Sequence, residues 1–203
     1  MTSVITGDII NSQKAKPAQW LNKLKKTLTI WGSTPKQWEI YRGDSFQLEI
    51  KKPSDAINAA IQIKSAIKSI KGMDVRMAIG IGEKKYNARK VSESNGSAFV
   101  YSGELVEELK KLNLNMAVRS AYPDFDKEIN LYLKLALFIM DNWSNNTAET
   151  VYAALQYPDK SQTSLGALLK VKQNAISARL KRAHYEEITE VIQMYRYKIS
   201  QLE

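Results

Sequence analysis

The chain reads as an α+β protein, with helices packed on a mainly antiparallel sheet and a smaller all-helical unit behind it. Three observations predict this. Short β-branched segments alternate with amphipathic helical ones as far as Ala121. Arg42-Gly43-Asp44-Ser45 joins two adjacent strand-like segments, which is a hairpin signal and implies an antiparallel pair. From Asp124 onward the periodicity is helical only.

The elements follow in order. "SVITGDII" has the β-branched content of a strand and ends at Asn11-Ser12. "PAQWLNKLKKTLTIW" carries Trp20, Leu21, Leu24, Leu28 and Trp31 at helical spacing, with Pro17 in the first turn, and "GSTPK" stops it. "QWEIYRGDSFQLEI" is the hairpin. A second helix starts near Pro53-Ser54-Asp55 and carries Ile57, Ala60, Ile61, Ile63, Ala66, Ile67 and Ile70. In "MDVRMAIGIGE" Val75, Met77, Ile79 and Ile81 alternate, as in a strand. "KKYNARKVSESNG" is a loop, "SAFVYS" a brief strand before the helix "GELVEELKKL", and "NMAVRS" a last strand. "DFDKEINLYLKLALFIMDNW" is a long helix, and Ser144–Asn146 supplies a hinge and N-cap before helical stretches at Ala148–Gln156, Ser164–Lys170 and Asn174 onward. A boundary between Ala121 and Asn146 divides the chain into a domain over 1–122, a connecting helix over 123–145 and a helical domain over 146–203.

Composition narrows the function classes. Of 203 residues, 44% are apolar and 25% charged, as in ordinary globular proteins. No apolar run reaches the roughly 18 residues that span a bilayer, and "LYLKLALFIM" carries Lys134. No basic-then-apolar leader opens the chain. The absence of cysteine excludes disulfides, thiolate metal sites and cysteine nucleophiles, and a cytoplasmic protein is expected. The single histidine, His184, falls in the C-terminal unit, so the larger domain has no Ser-His-Asp triad. "GIGE" lacks the third glycine of a dinucleotide fingerprint. Trp20, Trp31, Trp38 and Trp143 sit at core positions of their elements.

The net charge of +9 is locally concentrated: Lys170, Lys172, Arg179, Lys181 and Arg182 occur with no acid between Lys170 and His184. "TSLGALLKVKQNAISARLKRAHYEEI" has the layout of a helix-turn-helix, a short helix, a tight turn around Lys170–Gln173, and a second helix that opens with small polar residues. Ile176 and Leu180 would anchor that helix on Leu165, Leu168 and Leu169. Gln173, Asn174, Ser177 and Ala178 would face base edges, and Lys172, Arg179, Lys181 and Arg182 phosphates or bases. The competing reading is a helical hairpin with a solvated basic face, or one that binds another protein. "YEEITEVIQMYRYKISQL" is then a stabilising or dimerising helix, since palindromic operators call for a homodimer.

Two Gly-Asp pairs, Gly7-Asp8 and Gly43-Asp44, carry the remaining chemistry. If the first strand pairs beside the hairpin, the two carboxylates come close, and they repel unless a cation or proton compensates. Oxygen-only donors of this kind suit Mg²⁺ with phosphates. The competing reading makes Asp8 a strand-end cap and Asp44 an Asx-turn.

"ITGDIINS", "YRGDSFQ", "VRMAIGIG" and "GSAFVYSGELVEEL" occur in the order and rough spacing of class III nucleotide cyclase domains, which are related to polymerase palms. With the C-terminal helix-turn-helix, nearly the whole chain resembles the SatD-like family of candidate bacterial regulators. The resemblance implies a cyclase- or palm-like, ferredoxin-like sandwich with Asp8 and Asp44 as ligands of Mg²⁺ or Mn²⁺. The backbone at Ile9, Ile10, Asn11 and Ser12 would face a triphosphate. Arg42, Arg76 and the loop residues Lys84, Lys85, Arg89 and Lys90 are candidate phosphate contacts, although the last four also read as a solvated loop. Three positions depart from the active pattern. Ile40 stands where a base-selecting Lys is expected, and Val100 and Glu104 where the transition-state Asn and Arg are expected. A carboxylate in place of that cation opposes phosphoryl chemistry. The expected function is therefore a transcription regulator with a degenerate, nucleotide-sensing N-terminal domain. The alternative is an active cyclase or phosphotransferase working through Asp8 and Asp44.

Overall fold

The computed structural model describes residues 1–202. The strands are β1 (Thr2–Ile10), β2 (Trp38–Tyr41), β3 (Ser45–Ile50), β4 (Asp74–Gly82) and β5 (Met116–Arg119). The helices are α1 (Pro17–Trp31), α2 (Ala56–Lys68), α3 (Ser97–Leu112), α4 (Pro123–Met140), α5 (Asn145–Gln156), α6 (Gln162–Leu169), α7 (Gln173–Ala183) and α8 (Tyr185–Ile199). The strands form one sheet in the order β2-β3-β1-β4-β5. β1 lies antiparallel to both β3 and β4, β2 to β3, and only β4 and β5 run parallel. The fold is thus α+β with a mainly antiparallel sheet.

Side-chain alternation divides the two faces of the sheet. Ile5, Ile9, Phe46, Leu48, Val75, Met77 and Ile79 enter one large apolar cluster with Leu24 and Leu28 of α1 and Ile57, Ile61 and Ile67 of α2. Gly7 leaves room on this face for the Phe46 ring, which a Cβ there would meet at 2.6 Å. The same cluster continues through Phe125, Leu133 and Leu137 of α4, Val151 of α5 and Ile188, Ile192 and Tyr195 of α8. Tyr195 is fully buried, and its hydroxyl donates to Pro53 O at 2.8 Å. α4, α5 and α8 therefore share a core with the sheet. α4 also leaves Leu131, Leu135 and Phe138 exposed on its outer side.

The opposite face is covered by α3. Val4 packs against Ala98 and Phe99, and Thr6 and Ser102 share a hydrogen bond of 2.9 Å. Glycines on β4 allow the helix to approach: a Cβ at Gly80 would run into the backbone of Ala98 and Ser102. "SAFVYS" is the first part of this helix and not a strand. Its residues 98, 102, 105, 106 and 109 form one buried stripe at helical spacing, which outweighs the local β propensity of Val100 and the aromatics.

Ser144 caps α5 by accepting from Thr147 N. α6 and α7 meet at a tight turn in which Lys170 adopts a left-handed conformation (φ 55°). Among the described residues, no helix is long and apolar enough to cross a membrane.

Candidate functional site

Strand register aligns four side chains across the α3-covered face. Tyr41 on β2 opposes Ser45 on β3, Ser45 opposes Asp8 on β1, and Asp8 opposes Arg76 on β4. Asp44 lies one residue before this row, where its carbonyl accepts from Ile9 N at 3.1 Å and its Oδ2 accepts from the Ser12 hydroxyl at 2.6 Å. The last turns of α3 add Glu107 and Lys110, which bond to each other at 2.8 Å. The pairing of β1 beside β3 thus brings Asp44 near Asp8, close enough for its charge to act on the Asp8 carboxyl.

Asp8 is poorly compensated. Arg76 Nη1 stands 3.8 Å from its Oδ2 and Lys110 Nζ 3.9 Å from its Oδ1, both beyond hydrogen-bond range. Asp8 Oδ1 is buried and has no hydrogen-bond donor. Burial pushes the Asp8 carboxyl up from its ordinary range; Lys110 and Arg76 oppose that, while Asp44 and Glu107 add to it. The Tyr41 phenol is also raised, chiefly by burial. Glu107 is lowered, chiefly by the hydrogen bond from Lys110.

Among the described residues, no three acidic, histidine or cysteine side chains converge as a metal cluster. Two carboxylates with one orphaned oxygen still fit a hard divalent cation that completes its shell with phosphate oxygens and water. Asp8 and Asp44 are the residues that could hold it.

The other expected nucleotide contacts are dispersed. Ile9 is buried in the apolar core, and its N–H is already used by Asp44. Ile10 closes β1 opposite Asp74, and Asn11 is left-handed (φ 64°) with its amide donated to Gly72 O. Arg42 is exposed in the hairpin turn with φ 52°. Lys84 is held by Glu49 at 2.6 Å, and Lys90 lies 3.8 Å from Glu93. Ile40 packs against the core on the face opposite Asp8. Val100 is exposed on α3, and Glu104 lies 3.9 Å from Arg119, so neither belongs to the Asp8 group. Sequence reasoning missed Tyr41, Glu107 and Lys110. Tyr41 was accessible from the hairpin register, whereas the two α3 residues depend on how that helix crosses the sheet.

The α6–α7 unit has its own small core of Ala153, Ala154, Leu165 and Ile176, with Leu169, Val171 and Leu180 packed against it. Leu168, expected in that core, is 49% exposed and lies outside it. Lys172, Gln173, Asn174, Ser177, Ala178, Lys181 and Arg182 are all exposed. Arg179 is half-buried and turned toward α5, where Nη1 donates to Thr150 Oγ1 at 3.4 Å. Gly166 permits the close turn: a Cβ there would stand 2.7 Å from Val171 O.

No curated protein and no solved structure matches the chain. The family model described as "SatD family" matches residues 3–188, which takes in the sheet, the carboxylate row and the α6–α7 unit alike. On that match the chain belongs to the SatD family.

Proposed function

We propose that this protein is a transcription regulator that binds DNA through a helix-turn-helix formed by α6 and α7, with α7 as the recognition helix. The observation that carries the reading is the division of α7 into two faces. Ile176 and Leu180 seat one side, while Asn174, Ser177, Ala178 and Lys181 share the exposed side, with Lys172, Gln173 and Arg182 at its margins. Short polar side chains flanked by cations suit base edges bordered by phosphates. Two half-sites would make the working form a homodimer. The test is binding to a fluorescent mixed-sequence duplex across a salt series. Lys181→Ala and Arg182→Ala should each weaken binding and lower the salt slope by about 1. Affinity indifferent to both overturns the reading and leaves α7 as a solvated or protein-binding face.

The N-terminal sandwich is, on this proposal, a degenerate cyclase-like sensor. The chain order β1-α1-β2-β3-α2-β4, with β1 between β3 and β4, supports a split β-α-β core of the ferredoxin-like kind. The Asp8–Asp44 pair supports a Mg²⁺ or Mn²⁺ ion that would neutralise the phosphates of a bound nucleotide. Thermal shifts with a panel of nucleotides and either ion, repeated on Asp8→Asn, test this; no nucleotide-dependent shift leaves the domain as a scaffold.

A second reading, a working cyclase or phosphotransferase, draws on the same carboxylate pair. Against it, Ile40, Val100 and Glu104 stand where the active pattern has Lys, Asn and Arg, and Ile40 packs on the face opposite Asp8. Metal-dependent release of pyrophosphate or phosphate, lost in Asp8→Asn, would favour it.

A further inference from the structure

Two cations stand beside the carboxylate that the preceding reading assigns to a metal ion, and they are held very differently. Arg76 is fixed: its side chain is 12% exposed, and Nε donates to Leu114 O at 3.0 Å. Lys110 is 40% exposed, and among the described residues its ammonium donates to Glu107, itself 62% exposed and one turn back on α3. Lys110 therefore hangs over Asp8 without being bonded to it.

Charge decides what such a site admits. A bare divalent cation that approaches Asp8 meets two positive groups within 4 Å of the carboxylate oxygens it would bind. A divalent cation carried by a polyphosphate arrives with net negative charge, and the same two groups become partners for its oxygens. Lys110 can turn outward to those oxygens without breaking any buried contact, because its side chain is already half in solvent. Arg76, anchored at Leu114, supplies a second donor from the sheet.

We propose that Lys110, backed by Arg76, is a specificity-determining residue that makes the Asp8–Asp44 pair accept a metal–polyphosphate complex and refuse the free metal ion. This rests on the reading of Asp8 and Asp44 as metal ligands. Lys110 leaves Asp8 when the complex binds and moves onto phosphate oxygen.

Equilibrium dialysis of the full chain tests it, with Mn²⁺ alone and with Mn²⁺ plus inorganic tripolyphosphate as probes. The unaltered protein should hold the complex about tenfold more tightly than the free ion, or better. Lys110→Gln should gain affinity for free Mn²⁺ and lose affinity for the complex, and Lys110→Arg should restore the original order. Asp8→Asn should lose both. If Lys110→Gln keeps the unaltered ratio while Asp8→Asn loses both ligands, the metal site stands and the role of Lys110 is overturned. If the unaltered chain holds neither probe, or Asp8→Asn binds as well as it does, the metal reading falls and the inference with it.

Discussion

Lys64, fully buried on α2, lies 2.6 Å from Asp141 at the end of α4 and 2.8 Å from Asp74 on β4. Asp74 is shared with Lys68 at 2.9 Å, and Asn115 donates to the other oxygen of Asp141 at 3.0 Å. One buried ammonium thus ties the sheet to two helices that lie far apart in the chain. Removing one partner of a buried pair leaves an uncompensated charge, which typically costs about 3–5 kcal/mol. Asp74→Ala removes the partner of Lys68 and one of the two partners of Lys64, and should cost about 3 kcal/mol in urea unfolding. Asp141→Ala should cost less, because Asp141 is 35% exposed and Asp74 still holds Lys64. The reverse order would show that the Asp141 contact dominates the network.

Much of this was legible in the chain, and the remainder has a physical reason for being hidden. Arg42-Gly43-Asp44-Ser45 announced the hairpin, because local turn chemistry sets the β2–β3 register, whereas the closeness of Asp44 to Asp8 depends on the non-local pairing of β1 with β3. The exposed face of α7 followed from helical periodicity anchored at Ile176 and Leu180. Lys110 could not be placed, since its position depends on α3 crossing the sheet at Gly80 and Gly82, a tertiary choice that no local pattern encodes. Arg179 counted as one more cation in a basic block until the α5 packing turned it toward Thr150. The contact of Tyr195 with Pro53 spans 142 residues and has no sequence signal.

The orphaned oxygen of Asp8 carries its own stability prediction. A buried acceptor with no donor among the described residues, and with Lys110 Nζ 3.9 Å away, costs the fold more than a neutral amide would. Asp8→Asn should therefore raise the melting temperature of the ligand-free protein, by an amount equivalent to about 0.5–1 kcal/mol. A fall instead would mean that Arg76 and Lys110 already stabilise the carboxylate fully.

The two faces of α7 separate two kinds of arginine and lysine variant. Arg179→Ala removes a half-buried contact with Thr150 and should lower stability by about 1 kcal/mol; on the proposed DNA-binding reading, the salt dependence of that binding should change little. Lys181→Ala leaves the fold untouched, as Lys181 is exposed, and should act on the salt slope alone. Equal effects of the two on the slope would place Arg179 in the DNA interface despite its contact with α5.

Two glycines inside helices should respond to alanine with opposite signs. At Gly103 on α3 a Cβ meets nothing within 4 Å. Gly103→Ala therefore gains helix propensity and should stabilise by about 0.5–1 kcal/mol. At Gly166 on α6 the same methyl would stand 2.7 Å from Val171 O and 3.5 Å from Gln173 N, both backbone atoms of the turn into α7. The gain in propensity is there opposed by a displaced turn, and overpacking of this kind costs about 1–3 kcal/mol. Gly166→Ala should be destabilising by denaturant titration, and on the proposed helix-turn-helix reading it should also weaken DNA binding, because α7 moves with the turn. If Gly166→Ala stabilised as much as Gly103→Ala, the close approach of α6 to the turn could not be what sets the angle between the two helices.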